Sequence, residues 1–348
     1  MPSLADTIDA VIGVDTHRDS HTAEMASSTG QVLGTLSIDN ADAGFARLIE
    51  WATSMMPGPR LLAAVEGTRS YGIGVSRALS AAGIPVIEVE QPSRKKRRGK
   101  GKSDLIDAHH AVLTALACDP SRLATPRADG DREALRILLG ARDELTGHKT
   151  AVSNQLKALL LTGDDTDRQL ARRRVSEQLL TTLIRRRPPR NATRMQAVRQ
   201  HELRRLAQTV LDTIRQLTIN KRQLREIVTD MAPGLLEQSG IGPVSAAQSI
   251  VSYGQPGRVN NQAAFAALAG VSPLEASSGR TVRHRLNRGG DRKLNRAIHT
   301  IAVNRMRTDP TTRAYVTRRR AEGKTDREIR RCLKRYIARE LYRTLDNT

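Results

Sequence analysis

Two apolar runs, Val11-Ile12-Gly13-Val14 and Leu61-Leu62-Ala63-Ala64-Val65, each stop on a carboxylate, Asp15 and Glu66. Short aliphatic runs closed by a polar residue read as buried strands. A buried strand needs neighbours on both edges and cover on its faces, so these two runs demand a layered α/β domain rather than a bundle or an extended chain.

The segments around them supply those neighbours. Thr22–Ala26 and Gln31–Ile38 alternate as strands, with Ser28-Thr29-Gly30 suited to a hairpin turn. Asp42–Met55 places Phe45, Leu48, Ile49 and Ala52 on one helical face, and Pro57-Gly58-Pro59 ends it. Ser70–Ala82 reads as a helix and Ile84–Val89 as a strand. A helix follows from Ser103, a suitable N-cap, to about Ala117. The order β-β-β-α-β-α-β-loop-α is the layout of an RNase H/RuvC-like domain, with three antiparallel strands extended by parallel crossovers.

Asp104 and Asp107 lie three residues apart, so they share a face of that helix. Like charges on one face repel. Asp15 alone would be an ordinary strand-end acid, and Asp104 alone an acid favoured by the helix dipole. Four carboxylates at the ends of elements that gather at one edge of a sheet imply more: Asp15, Glu66, Asp104 and Asp107 are expected to bind two Mg²⁺ ions, about 3.5–4 Å apart, that clamp a phosphodiester. The run before them carries Arg94, Lys95, Lys96, Arg97, Arg98, Lys100 and Lys102, which would hold a polyanion against the metal.

The charge balance agrees. Lys and Arg number 57 against 36 Asp and Glu, a net charge of +21, and the basic residues are spread along the chain rather than confined to a tail. A nucleic-acid partner is expected. At 2% aromatic residues there is little to stack bases on, so phosphate contacts and helix shape are the expected readout. Cys118 and Cys332 are too distant in sequence to suggest a disulfide framework or zinc site, which fits a reducing cytoplasm. No apolar run is long enough for a membrane helix. His17 and His21 are four apart but not on a helix, and His109 and His110 read as ordinary helix residues rather than ligands, though one near the metals could handle protons.

From 131 to 231 the chain reads as a helical coiled-coil or hairpin domain. Leu135, Leu138, Leu139, Leu145, Val152, Leu156, Leu159 and Leu160 form a stripe, a second helix runs from Leu170 to Ile184, and a third runs from about Thr193 to Thr229. The remainder, 232–348, is expected to be a third, mainly helical domain, following 1–130 and 131–231. Leu235–Ala247 contains Gly240-Ile241-Gly242 between helices, either a helix-hairpin-helix-like pattern in which Gly240 and Gly242 let the backbone approach phosphate or merely a tight interhelical turn. Ser277-Ser278-Gly279 then opens a polar loop with Arg280, Arg283, Arg285, Arg288, Arg292 and Lys293. On composition this is a phosphate-binding loop and nothing more. Two basic amphipathic helices close the chain.

Taken together, Gly13-Val14-Asp15, Val65-Glu66-Gly67-Thr68, Lys102-Ser103-Asp104 with Asp107-Ala108, Ser239-Gly240-Ile241-Gly242-Pro243 and Ser277-Ser278-Gly279 with the run to Asp291-Arg292-Lys293-Leu294 resemble the DEDD transposases of the IS-one-ten (IS110) insertion-sequence family, which includes Piv-type invertases. The resemblance covers nearly the whole chain. It implies that Asp15, Glu66, Asp104 and Asp107 are the DEDD set, and that the serine before the glycine, Ser278, is a covalent nucleophile, with neighbouring Ser277 the other candidate. It implies a site-specific recombinase that cuts and rejoins donor and target double-stranded DNA, guided by a structured bridge RNA, as a homodimer assembling to a tetramer. The alternative is a RuvC-like nuclease or resolvase that uses water. The unusually basic loop before Asp104 and the pair His109-His110 have no counterpart in the resemblance.

Overall fold

The computed structural model describes residues 4–89, 104–120, 123–126, 129–188, 190–254, 258–275, 284–285, 287 and 289–347, with the backbone alone for Asp104, Leu274, Glu275, His284 and Arg285. They divide into two compact units. One comprises 1–133, 252–291 and 338–347; the other comprises 134–251 and 292–337.

The first unit is built on a five-stranded sheet. Its strands are β1 (Ala10–Thr16), β2 (Ser20–Ser27), β3 (Val32–Asp39), β4 (Leu61–Glu66) and β5 (Val86–Val89), in the order β3-β2-β1-β4-β5. The pairs β1–β2 and β2–β3 are antiparallel, while β1–β4 and β4–β5 are parallel. The acid-ended runs are thus the two central strands, and β1 and β4 are buried along their whole length. Helices α1 (Asp42–Met55) and α2 (Ile73–Ala81) pack on one face through Phe45, Leu48, Ala52, Val75 and Leu79. Helix α3 (Asp104–Leu116) covers the other, where Ala111, Val112 and Ala115 meet Val11, Leu62, Ala64 and Ile87.

The bounds of α1 match the sequence expectation. Helix α2 starts three residues later than expected. After β4 the chain turns through Gly67, whose φ is +60°, and Ser70 N and Gly72 N both donate to the Gly67 carbonyl. Those bonds commit Thr68–Gly72 to a turn before the helix can begin.

In the second unit, α4 (Gly130–Leu161), α5 (Asp165–Ala171), α6 (Glu177–Arg185) and α7 (Arg194–Met231) form the expected helical region. The single helix expected over Leu170–Ile184 is two, because Ser176 caps α6 by accepting from Leu179 N and breaks the run after the Arg172-Arg173-Arg174 cluster. Helices α4 and α7 run antiparallel. Asn220 Nδ2 donates to the Leu138 carbonyl, Arg142 Nη1 to that of Leu217 and Arg199 Nη1 to that of Leu159, so positions rise along α4 as they fall along α7. Val152, Leu156, Leu160, Leu203, Leu206 and Val210 fill the seam.

The rest of the chain is α8 (Pro233–Glu237), α9 (Pro243–Tyr253), α10 (Gln262–Leu268), a two-stranded ribbon of β6 (Leu274–Glu275) and β7 (His284–Arg285), and then α11 (Arg292–Thr308), α12 (Pro310–Ala321) and α13 (Asp326–Asp346).

Candidate active site

Three elements converge on one end of the sheet. In the register Val11↔Leu62 and Gly13↔Ala64, the next outward step puts Asp15 and Glu66 side by side at the carboxyl ends of adjacent parallel strands. Alternation along the strands sends both side chains to the face that carries Val11, Gly13, Leu62 and Ala64, which is the face α3 covers. They are 2% and 1% exposed, so both carboxylates are held out of bulk water.

Gly13 explains how closely α3 approaches. A Cβ there would overlap the Ala108 carbonyl oxygen and lie 2.8 Å from Val112 Cγ2. Only a residue without a side chain lets the helix backbone rest on β1. Further along, Leu116 reaches Gly30 in the β2–β3 turn, at the opposite end of the sheet from Asp15. The helix therefore runs antiparallel to β1, and its first turn, with Asp104 and Asp107, faces the end where Asp15 and Glu66 emerge. Asp107 is half-buried. The Asp104 side chain lies outside the described residues, as does the basic run Arg94, Lys95, Lys96, Arg97, Arg98, Lys100 and Lys102.

Further side chains brace the cluster. Thr16 Oγ1 donates to the Glu66 carbonyl at 3.1 Å and ties the two strand ends together. His17 Nε2 is 3.2 Å from Asp15 Oδ2. His109 Nδ1 is 2.6 Å from Oε1 of Glu24, a buried acid on β2 opposite Gly13. His21 is a core residue instead: it is fully buried, stacks on Phe45 at 6.0 Å between ring centroids, and burial pushes its pKa down.

A carboxylate set of this kind offers the hard oxygen donors that suit a divalent cation such as Mg²⁺. Among the described residues no three such side chains close on one point. Asp104, the fourth acid expected from the sequence, has its carboxylate outside the described residues. Sequence reasoning missed Glu24 and weighed His17 only as a partner of His21. Strand alternation was the signal available, since Thr22, Glu24 and Ala26 share one face of β2.

The second group of candidates lies downstream. Gly240, with φ +76°, turns the chain between α8 and α9, and a Cβ there would sit 2.8 Å from Arg305 Cγ on α11. Arg305 Nε also donates to the Ser239 carbonyl at 2.7 Å. Gly240 thus meets a packing demand, whereas around Gly242 a Cβ would find open space. In the ribbon, Leu274 pairs with Arg285 and Glu275 with His284. Ser277, Ser278, Arg280 and Arg283 fall by sequence between those strands and, like Arg288, lie outside the described residues. The far end of that stretch is anchored. Asp291 N donates to the Leu268 carbonyl at 2.6 Å, and Ser252 Oγ donates to Asp291 Oδ2 at 2.5 Å. Of the two cations that open α11, Arg292 is exposed and Lys293 Nζ is 2.9 Å from Asp143 Oδ2.

No helix among the described residues is long and apolar enough to cross a membrane. Comparison with known proteins agrees with the geometry. Residues 12–163 match a transposase family model, the DEDD transposases of IS110 type. Residues 233–317 match the transposase IS116/IS110/IS902 family. The chain is 26% identical to an uncharacterized 42 kDa protein of insertion element IS900 from Mycobacterium paratuberculosis, over 90% of this chain and 89% of that one. It is 25% identical to a 44.8 kDa protein of IS116 from Streptomyces clavuligerus, over 90% and 88%. It is also 26% identical to a 43.6 kDa protein of IS110 from Streptomyces coelicolor, over 65% and 66%.

Proposed function

Because the chain belongs to the transposases of IS110-type insertion sequences, enzymes that act on DNA, we propose that it cuts and rejoins donor and target duplexes at a centre assembled from two parts of the sequence. The first part is the carboxylate set Asp15, Glu66, Asp104 and Asp107, within a domain over 1–130 that we read as RNase H/RuvC-like. The second is Ser278, in a C-terminal domain over 232–348 that follows the helical domain over 131–231.

The observation that carries this reading is the convergence of β1, β4 and the first turn of α3 on one face and one end of the sheet. The DEDD domain implies a divalent metal, and the four acids would hold it, as Mg²⁺ and as two ions. Bound there, it would polarise the scissile phosphate and stabilise the charge that develops on it. The protein's own residues do the rest. His17 and Thr16 fix Asp15 and the Glu66 strand end, and the buried position of both acids keeps competing water away. Ser278 Oγ attacks phosphorus: an Oγ–P bond forms, a P–O bond of the strand breaks, and the leaving oxygen takes a proton. The phosphoserine ester keeps the bond energy for rejoining.

Low aromatic content and high positive charge suit recognition of an RNA–DNA heteroduplex by its backbone, with sequence left to base pairing. The family resemblance, not the composition, is the ground on which we include a structured bridge RNA as guide and a homodimer assembling to a tetramer as the working form. Trapping the DNA–protein adduct tests the centre. Wild-type protein should give a phosphoserine adduct that Ser278→Ala and Asp104→Ala both abolish. If Ser277→Ala/Ser278→Ala still cuts DNA, with no adduct, while Asp104→Ala does not, water is the nucleophile and the enzyme is a RuvC-like nuclease. Sequencing the RNA that co-purifies with the protein tests the guide.

A further inference from the structure

Glu66 ends β4, and Tyr71 follows it in the turn that leads to α2. Aromatic side chains are scarce: the chain has two phenylalanines, five tyrosines and one tryptophan. Phe45, Phe265, Tyr253 and Tyr342 are buried, and Trp51 and Tyr315 are half-buried. Tyr71 and Tyr336 are each 49% exposed. The Tyr336 ring meets Tyr315 edge-on at 6.1 Å. Tyr71 makes no ring contact and no side-chain hydrogen bond among the described residues.

The backbone of Tyr71 is gripped on both sides. Ser70 N, Ser70 Oγ and Gly72 N all donate to the Gly67 carbonyl, at 2.8, 3.1 and 3.1 Å. A Cβ on Gly72 would lie 2.5 Å from the Glu66 carbonyl oxygen and 3.1 Å from Thr16 Cγ2, so the residue after Tyr71 rests on the ends of β4 and β1. From there the chain enters α2, which Val75 and Leu79 fasten to the sheet. Neighbouring Cα atoms are about 3.8 Å apart, so Tyr71 stands one residue from the contact with the strand ends that present Asp15 and Glu66. An exposed ring, apolar in body and polar at its tip, is thus held on a fixed backbone at the rim of the carboxylate centre.

We propose that Tyr71 is a positioning residue of that centre, whose ring stacks on a nucleobase unpaired beside the scissile phosphate. The proposal rests on the reading of Asp15, Glu66, Asp104 and Asp107 as the cutting centre. Strand exchange creates such bases, because a cut strand must part from its old complement before it joins a new one. Unpairing and unstacking a base costs free energy. An aromatic side chain offsets part of that cost and does so for any sequence, since every base has a π-face. A base held on a ring that is itself fixed against Glu66 brings the neighbouring phosphate to a set place before the carboxylates.

The test compares two duplexes in chelator, where nothing is cut. One is fully paired, and the other carries a central bubble of mismatched 5-iodouracils. Full-length wild type should prefer the bubble by about 5- to 150-fold, the worth of one stacked base. Tyr71→Ala should lose that preference while binding the paired duplex as before, and Tyr71→Phe should restore most of it. Near-ultraviolet light should crosslink the bubble to the tryptic peptide Ser70–Arg77, whose one aromatic residue is Tyr71. Should Tyr71→Ala melt early, Tyr71→Leu, which keeps the apolar bulk without a π-face, takes its place. A preference that survives in the folded variant, or that disappears only in Tyr336→Ala, overturns the proposal. Cutting is read separately in Mg²⁺. If Asp104→Ala cuts as well as wild type while the preference and the crosslink persist, the cutting centre fails and the stacking site stands.

Discussion

Oε1 of Glu24 lies 2.6 Å from Nδ1 of His109, joining the second strand to the helix that opens with Asp104 and Asp107. The Glu24 side chain is 6% exposed and that of His109 is 38% exposed, so the bond spans the edge between sheet core and solvent. It fixes the rotation of α3 about its own axis, which the Gly13 contact alone leaves open.

Removing the buried partner tests that role. Glu24→Ala should destabilise the fold by about 1.5–3 kcal/mol, the worth of a hydrogen bond to a charged group. It should also raise the divalent-ion concentration needed to saturate the protein, measured by calorimetry. Glu24→Gln should restore much of both. If neither the melt nor the titration moves in Glu24→Ala, the pair positions nothing.

Gly13 gives a second prediction. Gly13→Ala puts a methyl group against the Ala108 carbonyl and Val112. Overpacking of this kind costs about 1–3 kcal/mol. The strain is relieved by lifting α3, so strand cleavage should fall further than stability does. A variant with wild-type cleavage and melting temperature would show that α3 needs no such close approach.

The strand-end acids should show opposite effects on activity and stability. Asp15→Asn should reduce strand exchange by at least about 100-fold while leaving DNA affinity intact. In metal-free protein, the same change relieves repulsion between two buried neighbouring carboxylates. The melting temperature should therefore rise. A fall in melting temperature without loss of activity would make Asp15 a structural acid.

Asp143 carries a pH dependence. Burial alone would raise its carboxyl, but hydrogen bonds from Lys293 and Arg296 outweigh it and hold the group below the ordinary carboxylate value. A carboxyl lowered in the folded state stabilises fully above its unfolded pKa, near 4, and the gain is lost as pH falls through the folded value. Melts below about pH 4 should therefore fall less steeply for Asp143→Asn than for wild type. Parallel acid limbs would remove the pair from the account.

Much of the five-stranded sheet and its helices was legible in sequence because the signals are local. Apolar runs ending in Asp15 and Glu66 gave the central strands, and the spacing of Phe45, Leu48 and Ala52 gave α1 its observed limits. What stayed hidden depended on partners distant in the chain. The place of Glu24 depends on Gly13 and α3, which cover its side of the sheet. The turn at Gly240 is legible locally, but the reason it must be glycine is not, because Arg305, sixty-five residues later, fills the space beside it. The break at Ser176 was a capping choice that arginine-rich composition obscured.

The α4–α7 pair has a mechanical consequence. Asn220 is 5% exposed and spends its amide on the Leu138 carbonyl, while burial lowers the pKa of Arg142, which bonds the Leu217 carbonyl. Sliding one helix along the other would strand these polar groups without partners, so the pair resists shear. With 38 residues, α7 is about 57 Å long. Bonded to α4 from Arg199 to Asn220, it can tilt only together with that partner, as one rod.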